Sequence, residues 1–150
     1  MLRLPRRTLF AIEAVLDVAY NAAGATVRSG EITERQGIPA RYLEPVLQQL
    51  VRAGILVGVR GPRGGYRLGR DPRRITVGDI VRVAAGDDEA EGEEAQTGSP
   101  LGRAVVRPMV QALEDEAMAR LDGTTVDELC VKARAAGVEG ARTHPMDFTI

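Results

Sequence analysis

Between Val59 and Leu68 the chain reads Val-Arg-Gly-Pro-Arg-Gly-Gly-Tyr-Arg-Leu, a string that few backbone conformations accept. Three glycines and a proline interrupt strand-forming flanks, so neither a helix nor a long strand runs through it. Gly-Gly after Pro-Arg permits positive φ without a Cβ penalty, and the flanks can reverse into a hairpin. The reversal carries Arg60 and Arg63 and no carboxylate. Guanidinium groups on a narrow tip suit phosphate oxygens, which they engage with paired hydrogen bonds. An ordinary surface hairpin has a similar composition, so the preceding segments must decide between the two readings.

Leu43, Val46, Leu47, Leu50 and Val51 recur at helical spacing and predict a helix with one buried stripe, closed by Gly54. Ahead of it, Ser29 is placed to cap a short helix through Gln36, with Glu31 and Glu34 early and Gly37 at its end. Only Gly37, Ile38 and Pro39 separate the two, short enough for a helix-turn-helix. A first helix is expected from a Thr8 cap to Asn21, with Leu9, Ile12, Leu16 and Ala19 on one face and Glu13 and Asp17 on another. Pro45 removes a helical donor, so the stripe helix is expected to have a short, distorted first turn.

Opposite the stripe stand Arg41, Glu44 and Gln48, with Tyr42 near the helix start. Arginine donates to guanine, glutamate accepts from cytosine N4 and glutamine pairs with adenine. A solvated helix face would look the same. Ile55 to Val59 and Tyr66 to Leu68 then supply the strands of the hairpin. Helix, turn, helix, hairpin is the winged-helix order, in which a helix enters the major groove and the wing reaches adjoining backbone. The expected fold is mainly α with a small β-hairpin.

An isoelectric point near 5.9 argues against a polyanion partner, but the average conceals a division. Residues 1–74 hold 13 arginines and no lysine against 6 acids, whereas residues 75–150 hold 7 basic residues against 15 acids. The basic half is the half with the helix-turn-helix, and it is the charge of the module that matters. Arg6 and Arg7 before the first helix, and Ser29 at the second, are possible phosphate contacts.

From Glu31-Ile32 through Arg41-Tyr42-Leu43-Glu44 to the Arg-Gly-Pro-Arg-Gly-Gly-Tyr hairpin and Ile75-Thr76-Val77-Gly78-Asp79-Ile80, the chain resembles the Rrf-two (IscR-like) family of bacterial transcription factors. The match covers residues 1–85 well and the rest loosely. The resemblance implies a winged helix-turn-helix followed by a long dimerisation helix, and sequence-specific binding to double-stranded promoter DNA, most often in repression. It places the recognition helix on Ala40 to Leu50, base contacts on Arg41, Tyr42 and Glu44, the wing arginine on Arg60, and Arg63 with Gly64 at the DNA-facing tip. The family usually has a non-proline residue at Pro45. Cluster-bearing members hold an iron–sulfur centre on three closely spaced cysteines after the Thr-Val-Gly-Asp helix. This chain has none before Cys130, its single cysteine, so no cluster and no other cofactor is expected.

Thr76 with Asp79 forms a capping box, with Ile75 and Ile80 as a hydrophobic staple, and the helix is expected to end near Gly86. Residues 86–99 carry six carboxylates with glycine, in no metal-binding register, and read as an acidic mobile loop. Over residues 100–137 a long helix and a terminal helix are expected. Leu101, Val105, Met109, Ala112, Leu113, Ala117 and Leu121 make an apolar stripe too long for an 85-residue domain to cover, which points to a homodimer; packing on its own first helix is the alternative. Pro108 predicts a kink. Thr125 with Glu128 caps the last helix, in which Cys130 reads as a small apolar residue, and residues 138–150 read as loosely ordered.

One cysteine, one histidine and no phosphate-binding glycine loop leave no catalytic machinery. No run of 18 apolar residues is present, and Glu13 and Asp17 interrupt the only signal-like segment, so a cytoplasmic protein is expected. The competing reading is a winged-helix protein-interaction module that does not bind DNA. The signal, whether a small-molecule or protein effector, leaves no mark in the sequence.

Overall fold

The computed structural model describes residues 3–22, 24–86 and 98–141. Helix α1 (Arg6–Asn21) begins two residues ahead of the expected Thr8 cap, with Pro5 at the N-cap. The Pro5 carbonyl accepts the N–H groups of Thr8 and Leu9 at 3.0 and 3.2 Å, and Thr8 lies buried within the first turn. Helix α2 (Ser29–Gln36) has Arg28 at its N-cap, where the Arg28 N–H donates to the Glu31 carboxylate at 2.7 Å. It closes at Gly37, whose φ of 66° needs glycine. Helix α3 (Ala40–Arg52) follows after Ile38-Pro39 and ends before Gly54.

The distorted first turn expected from Pro45 is not found. Tyr42 and Leu43 both donate to the Pro39 carbonyl at 3.0 and 3.1 Å, so helical bonding starts at once. Pro45 withholds one donor, and the burial of Leu43, Val46, Leu47 and Leu50, at about 2 kcal/mol each, outweighs that loss.

Strands β1 (Leu56–Val59) and β2 (Gly65–Leu68) pair antiparallel with Leu56 opposite Leu68 and Val59 opposite Gly65. A 3-10 turn at Pro72–Arg74 leads to α4 (Val77–Ala85), opened by the expected box: Asp79 N–H donates to Thr76 Oγ1 at 3.0 Å and Thr76 N–H to Asp79 Oδ2 at 3.1 Å. Beyond residues 87–97, which hold the acidic-loop expectation and lie outside the described residues, a π-helical turn at Gly102–Val106 runs into α5 (Arg107–Asp122). Where a kink is expected at Pro108 the helix has this π-turn: the Arg107 N–H donates to Gly102 five residues back, widening the helix just before a residue that cannot donate. Helix α6 (Val126–Ala135) has its box on Thr125 and Glu128.

Helix α1 is the centre of the molecule, packed against α2, α3, α4, α6 and β2. Ala11, Ala14, Val15 and Val18 on α1 join Ile32, the α3 stripe, Ile55, Leu56, Ile75 and Ile80 in one buried cluster. Val126 and Cys130 belong to the same cluster, so the last helix completes the core of the amino-terminal unit. Burial pushes the Cys130 thiol above its ordinary pKa, with nearby Arg134 opposing and Asp127 adding to the rise.

Two polar features fix how the helices meet. The Asp17 side chain is fully buried, and it accepts Arg35 Nε at 2.9 Å, the Arg35 guanidinium again at 2.8 Å and Gln36 Nε2 at 2.8 Å. This bidentate ion pair ties α1 to the last turn of α2. At the other end, Ile75–Val77 and Thr124–Val126 run antiparallel, Val77 N–H donating to Thr124 and Val126 N–H to Ile75, both at 2.9 Å. Gly78 is buried here, and a Cβ on it would lie 1.8 Å from Asp122 Oδ1 and 3.1 Å from the Asp122 backbone nitrogen, so glycine leaves room for that carboxylate where α4 meets the end of α5. Asp122 itself accepts Arg82 at 2.7 and 2.5 Å.

The stripe of α5 does not fold back on α1. Leu101 is 69% exposed and Met109 57%; Val105, Ala112, Leu113 and Ala117 are exposed, and Leu121 is half-buried. Residues 138–141, expected to be loose, are tethered instead: Tyr20 donates its hydroxyl to the Val138 carbonyl, and Ala141 N–H donates to the buried Asn21 Oδ1 at 2.7 Å.

Asp17→Ala leaves Arg35 and Gln36 without their acceptor, and urea unfolding is expected to give a loss of about 3 kcal/mol. Cys130 is expected to react with a thiol reagent at pH 8 only at the rate of unfolding, measured against the same reaction in denaturant.

Candidate nucleic-acid interface

Helix α3 turns its stripe inward, and Arg41, Tyr42, Glu44 and Gln48 are all exposed on the opposite side. The Arg41 guanidinium lies 4.8 Å from the Tyr42 ring centroid, a cation–π contact that orients both at the helix start. Glu44 lies close enough to the wing for its charge to act on Tyr66. Burial first, and then that charge, hold the Tyr66 hydroxyl above its ordinary pKa. Tyr66 packs partly buried against the core, in keeping with a structural part.

The wing is held by more than its own two strands. Val27 N–H donates to the Tyr66 carbonyl at 2.9 Å and Tyr66 N–H to the Val27 carbonyl at 2.7 Å, so the segment before α2 adds a third pairing to the hairpin. Thr26 Oγ1 donates to the carbonyls of Arg63 at 2.8 Å and Gly64 at 3.1 Å, and the Arg28 guanidinium donates to the Pro62 carbonyl. These residues were not among those singled out from sequence. A three-residue brace has no periodicity to detect, and Thr26 and Val27 are too short a strand-like run to stand out.

Close approach explains the glycines. Gly65 has a φ of 145°, and a Cβ there would lie 2.6 Å from the Val27 carbonyl oxygen. Gly64, expected at the DNA-facing tip, is buried inside the turn with its N–H donating to Gly61 at 2.8 Å; its Cβ would meet the Val59 carbonyl at 2.4 Å. Arg60 and Arg63 remain exposed on the outside of that turn.

Two clefts flank these elements. One, between the wing and the start of α2, is lined by Arg28, Ser29, Val59, Gly61, Gly64, Gly65 and Tyr66. The other, of about 530 Å³, lies between α1 and α3 and is lined by Arg6, Arg7, Phe10, Arg41, Tyr42, Pro45 and Val46. Arg6 and Arg7, Ser29, the outward face of α3 and the wing arginines are thus distributed over neighbouring elements, while the α5 stripe lies on a separate helix.

A helix-turn-helix with a braced, arginine-bearing wing is a winged-helix domain of the DNA-binding regulator class. Residues 4–132 match the Rrf2 family model, described as an iron-dependent transcriptional regulator. The chain is 33% identical over 147 residues to the HTH-type transcriptional regulator IscR of Escherichia coli O1:K1, spanning 97% of this chain and 90% of that one. The structure superposes on T. potens IscR with a TM-score of 0.75 at 30% identity over 90% of each chain. It also superposes on CymR, the global cysteine regulator of B. subtilis, with a TM-score of 0.65 at 25% identity over 88% of this chain and 98% of that one. The chain belongs to the Rrf2 family of transcriptional regulators, a non-enzymatic class.

A cysteine-held iron–sulfur centre needs several thiolates, and this chain supplies one. The whole chain has one cysteine and one histidine, and the cysteine is buried in the core. Among the described residues no group of three His, Cys, Asp or Glu side chains converges. No helix among them is long and apolar enough to cross a membrane.

Gly65→Ala is expected to break the brace, accelerating amide exchange at Val27 and Tyr66 and costing about 3 kcal/mol. Gly58→Ala, whose added Cβ would come no nearer than 4.0 Å to Tyr66, is the control and leaves exchange unchanged.

Proposed function

We propose that the chain is a homodimeric, sequence-specific repressor that binds a pseudo-palindromic operator in the cytoplasm without an iron–sulfur cluster. The observation that carries this reading is the two-sidedness of α3. Four apolar side chains are buried, while Arg41, Tyr42, Glu44 and Gln48 are exposed on the helix's other faces, Glu44 within reach of the wing's Tyr66. Arg41 and Glu44 are the residue types that pair with guanine and cytosine, and Gln48 one turn on suits adenine. Arg60 and Arg63 then sit on phosphates at the wing, with Arg6, Arg7 and Ser29 contributing further backbone contacts. Family membership supports DNA as the partner, and the single cysteine supports the absence of a cluster.

The homodimer rests on α5. Leu101, Val105, Met109, Leu113 and Ala117 lie exposed along one long helix, with Leu121 half-buried at its end, and a second copy supplies a matching stripe. Two reading heads related by a two-fold axis require two half-sites, which gives the operator its symmetry.

Selection of bound duplexes from a random pool, repeated at two salt concentrations, tests the whole reading. A symmetric consensus is expected, and affinity is expected to fall steeply with salt. Arg60→Ala should weaken binding to all duplexes and reduce the salt slope by about one per protomer, while Glu44→Ala changes the preferred base at one position of each half-site. Affinity indifferent to both salt and Arg60 rules the reading out. Met109→Glu with Leu113→Glu is expected to give monomers in sedimentation equilibrium at concentrations where the parent chain is dimeric.

A further inference from the structure

The cleft between α1 and α3 joins cations of the proposed DNA surface to an apolar, aromatic wall. Its rim is cationic, with Arg6, Arg7 and Arg41, and among the described residues no acidic side chain lines it. Its floor is apolar and aromatic: Phe10 and Tyr42, with ring centroids 6.3 Å apart and planes tilted by 37°, beside Pro45 and Val46. The backbone of a duplex offers phosphate and sugar to such a surface and keeps its bases stacked inside, so a partner that brings a phosphate and an exposed ring together fits a cationic rim beside the exposed Tyr42 and the partly buried Phe10. A volume of about 530 Å³ lies within the range of small-ligand sites, roughly 300–1,000 Å³.

We infer that this cleft binds a small planar anion, a heteroaromatic ring bearing a phosphate, and that the ligand and operator DNA exclude each other. The ring stacks on Tyr42, which is 46% exposed, and lies over Pro45 and Val46. The phosphate is held by Arg6 and Arg7, whose guanidinium groups suit it by paired hydrogen bonds. Arg41, seated 4.8 Å from the Tyr42 ring centroid, flanks that ring and adds a third cation to the rim. Exclusion follows from shared residues, because Arg41 and Tyr42 belong to the outward face of the recognition helix. This part of the inference rests on the proposed operator binding; the site itself does not. Pro45, the departure from the family pattern, is here a flat apolar wall with no N–H to solvate.

Isothermal titration of the full-length protein with adenosine monophosphate, adenosine and inorganic phosphate, without DNA, tests the site. Adenosine monophosphate is expected to saturate at one per chain and to bind at least tenfold more tightly than either of its parts. Tyr42→Ala should weaken it at least fivefold, Tyr42→Phe should leave it unchanged, and Arg6→Ala with Arg7→Ala should reduce it to the level of adenosine. Adenosine monophosphate no tighter than phosphate, indifference to Tyr42→Ala, or tighter binding of a single-stranded hexanucleotide overturns the inference. Competition is read as a rise in apparent duplex Kd in proportion to added nucleotide. A protein that binds duplex but no nucleotide removes this inference alone. One that binds nucleotide but no duplex keeps the site and removes the operator reading.

Discussion

The arrangement of the reading head depends on one buried carboxylate. Asp17 sits on the helix against which most of the other elements pack, and its oxygens are filled by Arg35 and Gln36 from the end of α2. A charge buried this deeply is tolerable only when its partners are held in place, so the pair penalises every other setting of α2 on α1 more than it stabilises the observed one. Since α3 follows α2 after three residues, the angle at which α3 presents its outer face is set from Asp17 outward. Apolar packing alone tolerates sliding and rotation; a bidentate contact does not.

The wing obeys a similar logic with backbone atoms. A two-stranded hairpin is marginal in isolation. Here Val27 supplies a third pairing and Thr26 and Arg28 take up three tip carbonyls. The same segment that caps α2 therefore also holds the tip, so the start of the helix-turn-helix and the wing move as one piece.

Much of this was legible in the chain because it is written in local signals. The stripe of α3, the glycines at 37 and 54, and both Thr-x-x-acid boxes report on residues within one or two turns of themselves, and all are found where the pattern puts them. The reversal at Gly61 to Gly65 is equally local. What was not legible is contact between distant segments. The sequence pattern sets Asp17 off an apolar face of Leu9, Ile12, Leu16 and Ala19, whereas the buried face runs through Ala11, Ala14, Val15 and Val18 with Asp17 beside it. Nothing near it in sequence names Arg35 as its partner. Thr8 was misjudged because Pro5 competes for the cap, and the effect of Pro45 was overestimated because local rules ignore the tertiary burial that holds α3 straight. The outward α5 stripe was visible as a pattern, yet its exposure emerges only once α1 is seen to be covered by α2, α3, α4 and α6.

The paired strands at Thr76 and Thr125 separate what reads from what spaces. Chain leaves the compact unit after α4 and returns to it at α6, and the two crossing points are stitched by Val77 to Thr124 and Val126 to Ile75, each beside its own helix cap. Between them, α5 meets α4 at Gly78 and Asp122 and leaves its stripe outside the core. A stripe placed so can change its apolar surface without disturbing that core. Under the proposed dimer, drift in α5 retunes the distance and twist between half-sites while α3 and the wing keep the same vocabulary of bases, so the grammar of an operator can evolve independently of its words.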